Sequence, residues 1–187
     1  MTVKYSYLPE QFSNIDDLMV KIRELVKTGD FTLGRPLEVF EKKFAKLIGT
    51  RFAVGVNSGT DAIKLSLKAI NIKPGDEIIT SANTFVATVG AINEVGAKPV
   101  FVDCDNSFCM NVNLIEKAIT KKTKAIVPVH LSGYMTDMIR LKKIAQKHKL
   151  MIIEDACQSI LASQNRVNAG SWGVTGCFSL HPLKNLN

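Results

Sequence analysis

The fold turns on residues 125–155, AIVPVHLSGYMTDMIRLKKIAQKHKLMIIED. Two short apolar runs, Ala125–Val129 and Met151–Glu154, bracket a helical pattern over Asp137–His148. The uninterrupted apolar character of A-I-V-P-V suits a strand covered on both faces, not one with a wet side. Strand, helix and strand at this spacing predict two parallel strands joined by a right-handed crossover.

The same alternation continues outward. Phe52–Val56, Glu77–Thr80, Pro99–Asp103 and Cys177–Leu180 read as further buried strands, with Asp61–Ile70, Phe85–Val95 and Asn113–Thr120 as helices between them. The prediction is an α/β fold with a mostly parallel sheet and flanking helices. Two helical patterns come first. Asn14 is placed to cap a helix whose apolar residues Ile15, Leu18, Met19, Ile22, Leu25 and Val26 recur at helical spacing. A second helix runs from Pro36 through Val39, Phe40, Phe44, Leu47 and Ile48 to a stop at Gly49, with a loop over Thr28–Arg35 between the two. Residues 1–50 therefore read as an N-terminal helical segment and 51–187 as the sheet domain. No internal repeat, low-complexity tract or interdomain linker interrupts them.

Composition bounds what the chain does. Among 187 residues, 46% are hydrophobic and 22% charged, the balance of a globule with a sizeable core and not of a disordered or collagenous chain. No apolar run approaches the ~18 residues a membrane span needs, and Met1–Leu8 lacks the apolar segment of a signal peptide. A cytoplasmic protein is expected. Lys and Arg number 24 against 17 Asp and Glu, a net charge of +7 that favours anionic partners. The densest basic stretch (Lys117, Lys121, Lys122, Lys124) lacks interleaved aromatics and reads as a solvated helix end and turn, which argues against a nucleic-acid partner. The cysteines Cys104, Cys109, Cys157 and Cys177 form no C-x-x-C, and His130, His148 and His181 form no H-E-x-x-H. Reduced thiols and no metal site are the expectation.

Ligands of open parallel sheets lie beyond the carboxyl ends of the strands. Three candidates fall there. Asn57-Ser58-Gly59-Thr60 opens a helix, where free backbone N–H groups and the positive dipole end receive an anion; a bare helix cap is the competing reading. It matches neither G-x-G-x-x-G nor a P-loop. Glu154-Asp155-Ala156-Cys157-Gln158 ends a strand, where an acid either caps a turn or pairs with a cationic ring nitrogen. Gly170-Ser171-Trp172-Gly173 leads into C-F-S-L and then His181-Pro182-Leu183-Lys184-Asn185. Lys184 is either a solvated surface residue or the amine of a Schiff base, and Ser179 offers a hydroxyl to an anion.

Taken together, N-S-G-T-D-A, P-G-D-E-I-I with T-F-V-A-T, E-D-A-C-Q, G-S-W-G and C-F-S-L-H-P-L-K-N-L closely resemble the DegT-type sugar aminotransferases, the DegT/DnrJ/StrS family. The resemblance runs from about Gly29 to Asn187. It implies pyridoxal 5′-phosphate (PLP) as cofactor and the large domain of the aspartate-aminotransferase fold (PLP fold type I). By position it implies that Lys184 forms the internal aldimine and shuttles the proton, and that Asp155 pairs with the pyridinium nitrogen. Gln158 matches the polar residue near the ring hydroxyl. Ser58, Gly59, Thr60 and Ser179 match the phosphate cradle, and Phe85 the aromatic that stacks on the ring, where core packing of its helix is the alternative. The implied reaction moves an amino group from an amino acid, glutamate, to a keto sugar, nucleotide-linked, in a homodimer.

The chain stops three residues after Lys184. Members of the resembled family continue into further sheet elements and a small C-terminal domain, so the expectation is an incomplete large domain with little activity alone. Two alternatives stand beside the transaminase. One is a dehydratase relative in which histidine replaces the lysine, disfavoured by Lys184. The other is a non-catalytic remnant or regulatory binding protein on the same fold, resting on the early stop and the +7 charge.

Overall fold

The structure, a computed structural model, describes residues 6–186. The leader reading of Met1–Leu8 lies largely outside these residues, as does Asn187 at the end of the resemblance. In chain order the helices are α1 (Leu8–Gln11), α2 (Ile15–Thr28), α3 (Arg35–Ile48), α4 (Gly59–Ala69), α5 (Val86–Glu94), α6 (Ile115–Ala118) and α7 (Met138–His148). The strands are β1 (Glu77–Ser81), β2 (Lys98–Val102), β3 (Thr123–Val127), β4 (Met151–Asp155), β5 (Ser163–Gln164), β6 (Val167–Asn168) and β7 (Thr175–Cys177).

Five strands form one sheet in the order β2-β1-β3-β4-β7, every pairing parallel. Successive residues on a strand point to opposite faces, and both faces are covered. Ile78, Val127 and Ile153 join Ile63 and Leu67 of α4 and Ala91 and Ile92 of α5 in one cluster. Their neighbours Ile79, Ile126 and Ile152 join Val102, Ile115, Met138 and Leu141 in the other. At roughly 1.5–3 kcal/mol for each fully buried aliphatic side chain, these layers hold α4 and α5 against one face of the sheet and α6 and α7 against the other. The carboxyl ends of β1, β3, β4 and β7 are thereby held side by side.

The strand expected at Phe52–Val56 is not one. The segment is extended but pairs with no strand among the described residues; Phe52 is 70% and Val54 77% exposed. The Gly55 N–H instead donates to Oε1 of Glu41 on α3, at 2.7 Å. An apolar run becomes a strand only when another strand lies beside it, and none does here. The last strand also sits earlier than Cys177–Leu180. It spans Thr175–Cys177, and its final carbonyl, on Cys177, accepts from the Ala156 N–H at 2.9 Å. Beyond it Phe178 turns inward to meet Phe44 of α3 edge-on at 5.0 Å.

Helix α2 forms as its periodicity predicts, yet none of its side chains is buried; Ile15, Leu18, Met19, Ile22 and Val26 are exposed. Asn14 stands at its N-cap without capping. Its Nδ2 donates to Oδ2 of Asp17 at 3.1 Å, and no backbone N–H reaches its oxygen. Helix α3 buries Phe44, Ala45 and Ile48 and ends at Gly49, whose left-handed φ of 86° lets its N–H return to the Ala45 carbonyl. The β5–β6 hairpin went unforeseen. Its two-residue turn puts both Asn165 and Arg166 at positive φ, and two-residue strands leave no periodicity to read. Lys117, Lys121, Lys122 and Lys124 are all exposed, around the end of α6 and the turn into β3. No described helix is long and apolar enough to cross a membrane.

Candidate active site at the carboxyl ends of the strands

Glu154 and Asp155 end β4 and, by strand alternation, face opposite ways. Glu154 is wholly buried and spends its carboxylate on structure. Oε1 accepts from the N–H groups of Trp172 and Gly173 at 2.7 and 2.8 Å, and Oε2 from the Gly170 N–H at 2.8 Å. The fourth donor is His130 Nε2, 3.1 Å from Oε2. The imidazole's other nitrogen, Nδ1, accepts from the Thr136 N–H at 3.3 Å, which leaves the proton on Nε2. Three backbone donors thus fasten the G-S-W-G loop to the sheet, and His130 completes the shell of the glutamate. The loop lies so flat that a β-carbon on Gly176 would stand 2.2 Å from the Gly170 Cα.

Asp155 faces α5. Thr88 Oγ1 donates to its Oδ2 at 2.7 Å, the Cys157 N–H donates to Oδ1 at 3.2 Å, and the residue is 5% exposed. Three residues before Thr88, as the extended residue that opens α5, stands Phe85. Its ring is 61% exposed, which excludes the core-packing reading. The Lys184 Nζ lies 5.6 Å from the centroid of that ring, within cation–π range. Lys184 is half-buried and held by a turn in which its N–H donates to the His181 carbonyl at 2.8 Å. Its neighbour Leu183 donates to His181 Nδ1 at 3.2 Å.

The third component is the start of α4. The Ser58 Oγ accepts from the Asp61 N–H at 3.1 Å, so the bare helix cap is realised. The N–H groups of Gly59 and Thr60 find no acceptor among the described residues and stay available to a ligand. Asp61, in the first turn, is held by Lys64 at 2.5 Å, which keeps its carboxyl below the ordinary range. Gly59 packs where no larger residue fits: a β-carbon there would stand 2.8 Å from Cys157 Sγ and 3.1 Å from Ser179 Cβ. Gly59 and Ser179 are therefore neighbours, with Cys157, two residues along the chain from Asp155, packed against Gly59 as well.

Gln158 completes the group. Its Oε1 accepts from the Ser132 N–H at 3.0 Å, and a backbone N–H can only donate, so the amide nitrogen is left for the cavity. That cavity, about 390 Å³, is lined by Ser132, Gln158, Leu183, Lys184 and Asn185. A larger hollow of about 520 Å³ sits at the turn around Cys104 to Asn111, but its Asp105 is already satisfied by Ser107. The buried thiols are inert. Burial, reinforced by the Asp155 charge, pushes the Cys157 thiol far up, and burial pushes Cys177 up to about 12.

Thr88, His130 and Ser132 were not singled out in the sequence. Thr88 lies inside the quoted T-F-V-A-T, where a β-branched residue in an apolar helix passes for packing. Only its 2.7 Å bond to a residue 67 positions away gives it a role.

An anion cradle, a buried acid, an amine and an exposed aromatic face thus converge at the carboxyl ends of a parallel sheet, the layout of an α/β protein that holds a phosphorylated cofactor. The DegT/DnrJ/EryC1/StrS aminotransferase family profile matches residues 13–187, and the chain belongs to that family. It is 46% identical over 172 residues to the UDP-N-acetyl-3-dehydro-alpha-D-glucosamine 3-aminotransferase of Acidithiobacillus ferrooxidans, covering 91% of this chain and 47% of that protein. The crystal structure of S. venezuelae DesV in complex with a ketimine intermediate matches with a TM-score of 0.94 at 38% identity, over 99% of this chain and 50% of that one. NtdA from Bacillus subtilis with bound cofactor PMP matches at 0.93 and 38%, over 100% of this chain and 42% of that one. The chain spans about half the length of the curated relatives it matches.

Proposed function

We propose that this chain supplies the PLP-binding part of an aminotransferase that moves an amino group from an amino acid, glutamate, to a keto sugar carried on a nucleotide. The observation that carries the reading is one turn of helix. Phe85 under the Lys184 amine and Thr88 bonded to Asp155 belong to the same α5 entry, so amine, aromatic face and acid address one ligand.

The residues fit that cofactor. Gly59, Thr60, Ser58 and Ser179 would receive its phosphate, to which the α4 dipole adds roughly 0.3–1 kcal/mol. Asp155 would face the ring nitrogen and hold a proton there, Gln158 would donate to the ring oxygen, and Phe85 would cover one ring face. Lys184 would supply the amine that joins the cofactor and would move a proton at the reacting carbon, a contribution of roughly 10²–10⁴ in rate. When bound, PLP supplies the electron sink for carbanion chemistry.

Residues 1–50 serve as a helical arm and 51–187 as the partial large domain in this reading, with a homodimer as the working form of the full-length enzyme in the cytoplasm. The uncovered apolar face of α2 and the unpaired Phe52–Val56 segment support the view that the 187-residue chain turns over little by itself. The test is spectroscopic. Chain mixed with PLP gains a visible absorbance band that Lys184→Ala lacks; identical spectra for the two would overturn the assignment of the lysine. Robust turnover of glutamate and a keto-sugar nucleotide by this chain alone would overturn the expected inactivity.

A further inference from the structure

We infer that Thr88 is a positioning residue for Asp155, and that Thr84 and Thr88 form a directed hydroxyl chain that holds the carboxylate toward its ligand. Donor and acceptor accounting fixes the direction. A carboxylate oxygen only accepts, so the single hydroxyl proton of Thr88 is committed to Asp155 Oδ2 over 2.7 Å. The 2.8 Å contact between Thr84 and Thr88 must then be made by the Thr84 proton. The competing acceptor for that proton, the Phe85 carbonyl, is more distant at 3.4 Å. The chain therefore runs from Thr84 through Thr88 to Asp155, each hydroxyl polarising the next.

Thr88 is fully buried and Asp155 nearly so, which makes the bond worth more than it would be in water. Among the described residues no lysine, arginine or histidine forms an ion pair with Asp155. Its oxygens accept from Thr88 and from the Cys157 N–H, and the Cys157 thiol lies beside the same carboxylate. Thr88 thus stabilises the charge and fixes the carboxyl plane without competing for the edge a cationic ring nitrogen needs. The geometry stands on the residues alone; the identity of the ligand rests on the PLP reading above.

The experiment uses the whole chain, carbon-13 labelled at aspartate, as wild type, Thr88→Val, Thr88→Ser and Thr84→Val. The ¹³C resonance of the Asp155 carboxyl is read near neutral pH, and PLP affinity from the Lys184-dependent absorbance. Thr88→Val is expected to move the resonance and weaken PLP roughly tenfold, the scale of one hydrogen bond to a charged group. Thr88→Ser keeps both wild-type values, and Thr84→Val moves the resonance in the same direction by less. Equal resonances in Thr88→Val and wild type, or a serine variant that behaves like the valine one, overturn the inference. Should Thr88→Val fail to fold, the comparison of Thr84→Val and Thr88→Ser with wild type decides it, since neither removes the buried contact between α5 and β4. A responsive resonance in a chain that never gains the absorbance band leaves the positioning role standing and defeats the PLP reading. A normal band with an unresponsive resonance does the reverse.

Discussion

His130 Nε2 and Glu154 Oε2 lie 3.1 Å apart, both side chains wholly buried, and the glutamate completes its shell with three backbone N–H groups of the loop after β6. Neighbouring acids on one strand have divided the work: Glu154 fastens the loop, and Asp155 turns to the opposite side, toward Thr88 and the Cys157 N–H.

Replacing Glu154 with Gln should therefore destabilise the fold without touching the ligand contacts. An amide has one acceptor oxygen, so its NH₂ must face a donor that Glu154 Oε1 or Oε2 now satisfies. A loss of roughly 2–4 kcal/mol is expected, read as a lower midpoint in urea. An unchanged midpoint would falsify the anchoring role.

Gly59→Ala puts a methyl group 2.8 Å from Cys157 Sγ. The clash should cost roughly 1–3 kcal/mol and open the α4 entry, the proposed phosphate site. Removing the sulfur with Cys157→Ala should recover most of that loss, and a double-mutant cycle on thermal midpoint measures the coupling. Strict additivity would show that the two sites do not touch.

Phe85→Ala separates binding from folding. The ring is 61% exposed and belongs to neither core cluster, so the thermal midpoint should stay within about 2 °C. PLP affinity should fall several-fold through loss of ring contact, at roughly 0.5–1.5 kcal/mol for an aromatic pair. A large drop in midpoint with unchanged affinity would reverse the assignment.

The alkaline limb of stability tests the buried thiols. Burial raises the Cys177 thiol from its ordinary 9.0 to about 12, so the folded chain keeps a proton that the unfolded chain releases. Stability from this group is intact below about 9 and falls as pH rises from there toward 12. Cys177→Ala should show a flatter decline of thermal midpoint over that window, whatever its midpoint at neutral pH. An equally steep decline would assign the loss to other groups.

Acidification tests the α4 entry from the other side. Asp61 is held below the ordinary carboxylate range chiefly by Lys64, so its contribution is present above that range and is lost as pH falls through the lowered value. Lys64→Met should weaken the acid dependence of the thermal midpoint below about pH 4. The pair is only part-buried, so the difference should shrink in high salt.

How far the sequence could be read follows from what each residue needed to declare itself. Ile78–Ile79, Ile126–Val127 and Ile152–Ile153 are apolar on consecutive positions, which only a sheet covered on both faces demands, and the parallel core was legible from them. The helix end at Gly49 was equally plain, because its signal is local, whereas α4 begins at Gly59, two residues before the expected Asp61. Phe52–Val56 misled because strandedness depends on a neighbour, which no local pattern reports. Asp155, Lys184 and Phe85 could be named from motif likeness. Thr88 and His130 could not, since their partners lie 67 and 24 residues away and their types are ordinary in buried helices and loops.

Phe85, the extended residue that opens α5, and Thr88 in its first turn tie two jobs to a single helix. A small tilt of that helix shifts the aromatic platform and the acid's tether in step, so neither can be retuned while the other stays still. Changes in how α5 seats against α4, with which it shares a core cluster, thus reach both residues together.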